Sequence, residues 1–195
     1  PRFDHAPPWM INGRPLTINK AYFYNTTQVL YISGKPTFYH DREHLVDIKI
    51  TNSTFTRTSI SDFDGGALSI EITSVHPYLF MIKIVECLFE ENFSDREGGS
   101  LYIHVQIIRS IRAQNRPLRW HHYPLLIMKS TFKNNIAKRG GSISLFGLLA
   151  QIQNSTFLIE QDFGTSDEDN NNIIFSSNHL VGLKYIQVIC KSVLC

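Results

Sequence analysis

The sequence has few cysteines, little net charge and no long apolar run, and each shortage narrows what the protein can be. Nineteen Lys and Arg residues against seventeen Asp and Glu leave a net charge of +2, which is too small to predict a nucleic-acid partner. No run reaches the roughly 18 apolar residues of a membrane-spanning helix, so no transmembrane segment is expected. Hydrophobic residues still make up 43% of the chain, which predicts a sizeable core.

The three cysteines are an odd number, so at least one of them has no partner within the chain. Cys190 and Cys195 lie close together near the C-terminus, where they either form a small disulfide or pair with cysteines outside this chain. The chain begins Pro1-Arg2-Phe3, without an initiator methionine or a signal peptide. This beginning predicts a processed or excised piece of a longer protein.

Four Asn-x-Ser/Thr sequons occur, where about two would arise by chance, and the excess favours a secreted eukaryotic glycoprotein. The alternative is that two of them are a by-product of an internal repeat. The predicted glycosylation sites are Asn25, Asn52, Asn92 and Asn154.

An internal repeat is marked by phenylalanines that follow similar apolar stretches. Four good copies end at Phe55, Phe89, Phe132 and Phe157, and a weaker copy ends at Phe23. Apolar residues recur seven and five positions before each phenylalanine, a period of two that predicts a strand with one buried face. A small residue two positions before the phenylalanine interrupts the alternation of buried and exposed positions, and this interruption predicts a corner. The aligned columns are Ile18, Ile50, Ile84, Ile127 and Ile152, and then Ala21, Ser53, Cys87, Ser130 and Ser155.

The small-residue column explains Cys87 as a buried side chain and not as a reactive thiol. A second anchor follows three of the phenylalanines, in the form of paired glycines and a second apolar strand. Glycine pairs permit a sharp turn and close stacking of the next repeat. The three copies are Gly65-Gly66-Ala67-Leu68, Gly98-Gly99-Ser100-Leu101 and Gly140-Gly141-Ser142-Ile143.

Two strands per repeat, with insertions between the glycine strand and the next isoleucine strand, predict a solenoid. We expect an all-β fold, a right-handed parallel β-helix of about five coils with loop insertions on one edge. Residues 46–189 form the coils. Residues 1–45 form an N-terminal cap or docking segment with a weak first repeat, and the cysteine-containing end, 190–195, continues into a longer parent.

These motifs resemble the repeats of chlamydial polymorphic outer-membrane proteins, which carry Gly-Gly-Ala-(Ile/Leu/Val) and Phe-x-x-Asn. Asn92 and Asn135 complete the second motif, whereas Thr58 replaces the asparagine after Phe55. The repeats are also similar to those of large eukaryotic extracellular proteins with a pectin-lyase-like β-helix. Both resemblances imply an extracellular or cell-surface location, a role in adhesion or scaffolding, and no catalysis.

Charged residues precede each glycine pair, where enzymes of the pectin-lyase-like fold would place catalytic carboxylates. We expect solvated turn charges here, with Glu97 and Arg139 forming a surface ion pair. The sets of residues typical of a polygalacturonase do not occur, so an enzyme is not predicted, although a polysaccharide lyase or hydrolase is the alternative. The residues are Asp62, Asp64, Asp95, Glu97, Lys138 and Arg139.

The longest insertion, residues 107–124, is rich in arginine and aromatic residues. Arginine binds sulfate or carboxylate groups and aromatic rings stack on sugars, which predicts an anionic glycan site. The same residue types favour protein interfaces, and an ordinary surface loop is the third interpretation. The contact residues are Arg109, Arg112, Arg116, Arg119, Trp120 and Tyr123. The acidic run 160–172 is predicted to be a solvated loop, and no metal or cofactor is expected.

Asn52 and Asn154 stand three positions before a phenylalanine, at the predicted corner. They either form an internal asparagine ladder or point outward as glycan acceptors. Outward is predicted, because the same column also holds Lys20, Glu86 and Lys129. The function expected is a non-enzymatic structural or adhesive module, for example a fibre subunit, that associates with itself or with neighbouring domains of its parent. The alternative is a carbohydrate-binding or carbohydrate-processing module that uses residues 107–124.

Overall fold

The structure is a computed structural model that describes residues 2–4, 9–12, 15–27, 30–34, 46–74, 80–107, 125–146, 150–158, 173–176 and 186–190. These residues form strands, turns and bends, and none of them lies in a helix that could cross a membrane. The strands are β1 (Arg2–Asp4), β2 (Trp9–Asn12), β3 (Leu16–Asn19), β4 (Tyr22–Tyr24), β5 (Leu30–Gly34), β6 (Val46–Thr51), β7 (Thr54–Thr56), β8 (Ser59–Ile60), β9 (Leu68–Ser74), β10 (Phe80–Val85), β11 (Leu88–Glu90), β12 (Phe93–Ser94), β13 (Leu101–Ile107), β14 (Leu125–Met128), β15 (Thr131–Lys133), β16 (Ile143–Phe146), β17 (Ala150–Leu158), β18 (Ile173–Ser176) and β19 (Ile186–Cys190).

All pairings between the described strands are parallel, and each strand pairs with its equivalent in the neighbouring repeat. The phenylalanine strands follow the order β1-β4-β7-β11-β15-β17, and the isoleucine strands follow β3-β6-β10-β14-β17. The long strand β17 belongs to both series and also pairs with β19, so together they form one eleven-stranded sheet. The strands β9, β13 and β16, which follow the glycine pairs, and their register equivalents β2, β5 and β18 are called the glycine strands here. They form a six-stranded sheet in the order β2-β5-β9-β13-β16-β18, and β8 pairs with β12. The expected all-β class and parallel sheets are therefore confirmed.

The registers reproduce the columns predicted from the sequence. Ile50 pairs with Ile84, and the weak first copy is in register because Phe23 pairs with Phe55. The phenylalanine column is a continuous stack of buried rings, with centroids 4.8 to 5.0 Å apart and interplanar angles of 3° to 10°. Apolar burial along this stack supplies the core.

Two corners flank the phenylalanine strands β4, β7, β11 and β15, and β17 contains the first corner; each of these corners has a residue with positive φ. The first corner comes before the strand and has φ of 49° to 56°, at Lys20, Asn52, Glu86, Lys129 and Asn154. The second corner comes after the strand and has φ of 49° to 54°, at Asn25, Arg57, Glu91 and Asn134. The left-handed region favours asparagine among non-glycine residues, and asparagine occupies four of these nine positions.

A column of buried hydroxyl groups follows the first corner. Ser53 Oγ accepts a hydrogen bond from the Ala21 N–H at 3.2 Å and donates to the Thr51 carbonyl at 2.8 Å. Ser130 and Ser155 repeat this pattern one and two repeats beyond Cys87. Cys87 is a free cysteine in the same column, 3% exposed, and burial raises the pKa of its thiol to about 11. The predicted buried role of Cys87 is confirmed.

The glycine pairs have two different backbone functions. Gly65, Gly98 and Gly140 adopt φ of 77°, 63° and 61°, which a side chain would strain. The second glycine lies against the neighbouring repeat. A Cβ atom on Gly99 would be 2.0 Å from the Gly141 carbonyl oxygen, and one on Gly66 would be 2.1 Å from the Gly99 oxygen. Both features explain why the turn is built from a glycine pair.

Candidate functional site

The candidate site lies on the outer face of the glycine strands. Leu101 and Ile103 of β13 point into the core and are fully buried, so the alternate residues Tyr102 and His104 point to the opposite face. Strand register places Ser144 beside Tyr102, and Phe146 beside His104. The charged residues that precede the glycine turns adjoin this face, since Ser144 donates a hydrogen bond to Glu97.

Glu97 is the centre of the charged part of the site. Its Oε2 accepts a hydrogen bond from Ser144 Oγ at 2.9 Å, and its Oε1 is bonded to Arg139 Nη2. The predicted ion pair with Arg139 is therefore confirmed. The prediction that Glu97 is a solvated turn charge is wrong, because the residue is only 9% exposed. Because both carboxylate oxygens are bonded to other side chains, Glu97 stabilises the turn and is poorly placed to act as a general base.

Asp64 occupies the same column one repeat earlier. Burial raises the pKa of Asp64 above its ordinary value, although the charges of Arg96 and Arg139 act to lower it. Arg96 Nε lies 3.7 Å from Asp64 Oδ1, so this carboxylate also has a cationic neighbour. Asp62, Lys138 and the side chain of Arg139 are exposed, as expected of turn charges. The charged edge is thus a chain of ion pairs between neighbouring repeats.

Three aromatic rings form a cluster beside this charged edge. The Tyr102 ring is 5.7 Å from that of Phe146 and 6.3 Å from that of His104, and the His104 and Phe146 rings are 5.9 Å apart. Tyr102 is buried, Phe146 is half-buried and His104 is exposed. The sequence interpretation missed this cluster, although the alternation around Leu101 and the alignment of the glycine pairs were sufficient to place these residues on one face.

Asn92, the fourth predicted glycosylation site, is buried in the folded chain, unlike the exposed position expected of a glycan acceptor. Its Nδ2 donates to the Phe55 carbonyl at 3.0 Å and to Asn135 Oδ1 at 2.9 Å. Its Oδ1 accepts from the Thr58 N–H at 2.9 Å and from the Thr58 hydroxyl at 2.7 Å. An Nδ2 that carries a glycan must reach solvent, whereas this one lies in a column formed by Thr26, Thr58, Asn92 and Asn135.

The other three sequon asparagines are exposed. Asn52 and Asn154 occupy the first corner, and Asn25 occupies the second. The prediction that Asn52 and Asn154 point outward is confirmed. The internal ladder considered for them exists in another column, that of Asn92 and Asn135. Glycosylation of the three exposed asparagines remains a prediction.

The other predicted sites fall mostly outside the described residues. These include the contact residues of the arginine-rich loop, the acidic run 160–172 and Cys195. Cys190 is the last residue of β19, and its pairing with Cys195 stays a prediction. Within the part of the chain that the structure describes, no three His, Cys, Asp or Glu side chains converge as a metal site requires.

No protein-family model matches this chain, and no curated protein or solved structure shows significant similarity to it. The similarity to the chlamydial and eukaryotic extracellular repeats therefore rests on the short glycine and phenylalanine motifs.

Proposed function

We propose that this chain is a right-handed parallel β-helix of about five coils that serves as a non-enzymatic structural or adhesive module at an extracellular surface. The observation that carries this proposal is the unbroken stack of five phenylalanine rings from Phe23 to Phe157, which joins five successive repeats. A stack of this kind makes the protein a rigid rod whose neighbouring repeats support one another.

The use made of the polar side chains supports a structural role. Glu97 is bound by Arg139 and Ser144, and Asn92 uses its whole amide to join Thr58, Phe55 and Asn135. Ser53 and its equivalents bond only to backbone atoms of their own and the preceding repeat. These side chains are thus committed to holding repeats together.

The assembly of the purified chain tests this proposal. Electron microscopy of the chain at rising concentration would reveal filaments, and light scattering would give the mass of smaller species. Filaments with an axial repeat that is a multiple of the about 4.8 Å strand spacing support a polymer formed by end-to-end pairing of strands. A strictly monomeric rod that binds no cell surface or matrix would contradict the structural and adhesive role.

Catalysis is tested on the carboxylates of the charged edge. We expect the chain to release no fragments from a panel of acidic and neutral polysaccharides. Cleavage that is abolished in Asp64→Asn or Glu97→Gln, and retained in the exposed control Asp62→Asn, would replace the structural proposal with an enzymatic one.

A carbohydrate-binding module is the second candidate, and the aromatic cluster favours it. Strand β13 carries Tyr102 and His104 on its outer face and ends at Ile107, where the arginine-rich segment 107–124 begins. Aromatic rings and arginines are the residue types that suit an anionic glycan. Replacing Arg112, Arg116 and Trp120 by alanine should then abolish retention on a glycan array, and unchanged retention would exclude this candidate.

A further inference from the structure

The exposed sequon asparagines all lie at the two corners that flank the phenylalanine strands. Asn52 and Asn154 share the first corner, and Asn25 stands at the second. Backbone hydrogen bonds connect the first corner from repeat to repeat, from the Asn52 N–H to Val85 and from the Lys129 N–H to Gln153. The corner residues therefore form a straight column along the molecule.

The spacing along this column separates the acceptor sites. Two repeats, represented by Glu86 and Lys129, lie between Asn52 and Asn154. With about 4.8 Å between neighbouring strands, the two asparagines are about 14 Å apart. Asn25 lies across the phenylalanine strand from the first corner, about five extended residues or 16 Å along the chain from Lys20.

We propose that N-linked glycans at Asn25, Asn52 and Asn154 cover the phenylalanine-strand side of the molecule and leave the outer face of the glycine strands bare. This inference rests on the proposed extracellular role. The exposed side chains and left-handed backbone of the three asparagines hold an attached glycan away from the core. Asn92 stays unmodified in the folded chain, because its Nδ2 is bonded inside.

The bare face is the one with the aromatic cluster of Tyr102, His104 and Phe146. It is also the face on which Glu97 and Arg139 form their ion pair. Glycans at the corners cover the phenylalanine-strand side, so the exposed His104 and the half-buried Phe146 on the opposite face stay accessible to other macromolecules.

Glycopeptide mapping of the chain secreted from eukaryotic cells tests which sequons are used. Treatment with an amidase that converts glycosylated Asn to Asp should mark the peptides that contain Asn25, Asn52 and Asn154. Conversion of Asn92 in the secreted, folded chain would overturn the proposal, and so would the absence of conversion at any of the three exposed sites.

A relocated site tests whether the corner itself accepts the glycan. Lys129→Asn creates a new sequon with Ser130 and Thr131, at a first-corner position with φ of 49° and an exposed side chain. In an Asn154→Gln background the glycan should move to position 129, with the total number of glycans unchanged. A secreted, folded double variant that lacks a glycan at this position would contradict the geometric argument.

Lysine labelling tests the predicted coverage. Lys129 lies one repeat from Asn154, and Lys133 lies on the outer face of β15, whereas Lys138 precedes a glycine turn. Removal of the glycans should increase amine labelling of Lys129 and Lys133 and leave Lys138 unchanged. If glycan removal leaves the labelling of each of the three lysines unchanged, the proposed shielding is overturned. Filament formation and surface binding are measured separately, so failure here leaves the test of the structural role intact.

Discussion

Removing the buried amide of Asn92 should destabilise the protein more than any surface change. In Asn92→Ala the Phe55 carbonyl, the Thr58 N–H and the Thr58 hydroxyl all lose their partner. Each hydrogen bond contributes about 1 kcal/mol net, and each buried group left unpaired costs about 1–3 kcal/mol. Because these costs overlap, we expect a loss of about 3–5 kcal/mol in the free energy of unfolding.

Urea unfolding of unglycosylated protein, followed by circular dichroism and by fluorescence, measures this loss. A chain of this length changes its Tm by about 2–4 °C per kcal/mol, so the Tm should fall by about 6–20 °C. Asn19→Ala is the matched control, since Asn19 is exposed and accepts one hydrogen bond, from Thr51 at 3.0 Å. The control should lose less than about 1 kcal/mol.

A double-mutant cycle with Asn135→Ala tests the ladder itself. Asn92 Nδ2 and Asn135 Oδ1 are joined at 2.9 Å, so the double variant should lose about 1 kcal/mol less than the sum of the two single variants. If Asn92→Ala costs no more than Asn19→Ala, or if the two ladder substitutions are additive, the reasoning about this column is refuted.

Three further substitutions test the other end of the Asn92 column, the glycine turns and the small-residue column. Thr58→Asn should raise the free energy of unfolding in urea by about 1 kcal/mol, because the new amide can bond Thr26 Oγ1. This buried hydroxyl has no partner among the described atoms. A loss of stability would contradict the prediction. Gly99→Ala should lower the free energy of unfolding by more than about 4 kcal/mol or prevent folding, because its Cβ would lie 2.0 Å from the Gly141 oxygen. A soluble variant with an unchanged Tm would exclude such close stacking. The pKa of Cys87 is raised to about 11, above the 9.0 of a free thiol, so its contribution to stability is constant below pH 9 and falls as pH rises toward 11. Cys87→Ser should remove that part of the alkaline loss, and identical pH profiles for the two proteins would argue against burial of the thiol.

The sequence was sufficient to predict the columns because apolar residues mark both sides of the first corner. Ile84 before the corner and Phe89 after it are both buried, so the change of phase between them is visible in the pattern. Each copy repeats this signal, which makes the alignment of repeats independent of any one residue. The register of the structure follows from it directly.

The second corner carries no such signal. A period of two beyond Phe89 would place Glu91 inside and Asn92 outside. The positive φ of Glu91 reverses this order, so that Glu91 is exposed and Asn92 is buried. Only polar residues follow that corner, at Thr58, Asn92 and Asn135, and hydrophobic periodicity could not detect the reversal. Hydrophobic periodicity could not predict the burial of Glu97 either, because this burial depends on Ser144 in a neighbouring repeat.

The corners also explain why the chain contains Asn-Ser-Thr at all. The left-handed position favours asparagine, the buried hydroxyl column favours serine, and the outward position of the following strand accepts threonine. Residues 129–131 have the same serine and threonine behind a lysine, so the triplet arises from the fold with or without the asparagine. The sequon at Asn92 likewise contains a ladder residue and the buried Ser94. The number of sequons is therefore no independent evidence for secretion, and occupancy of the exposed corner asparagines is the observation that decides it.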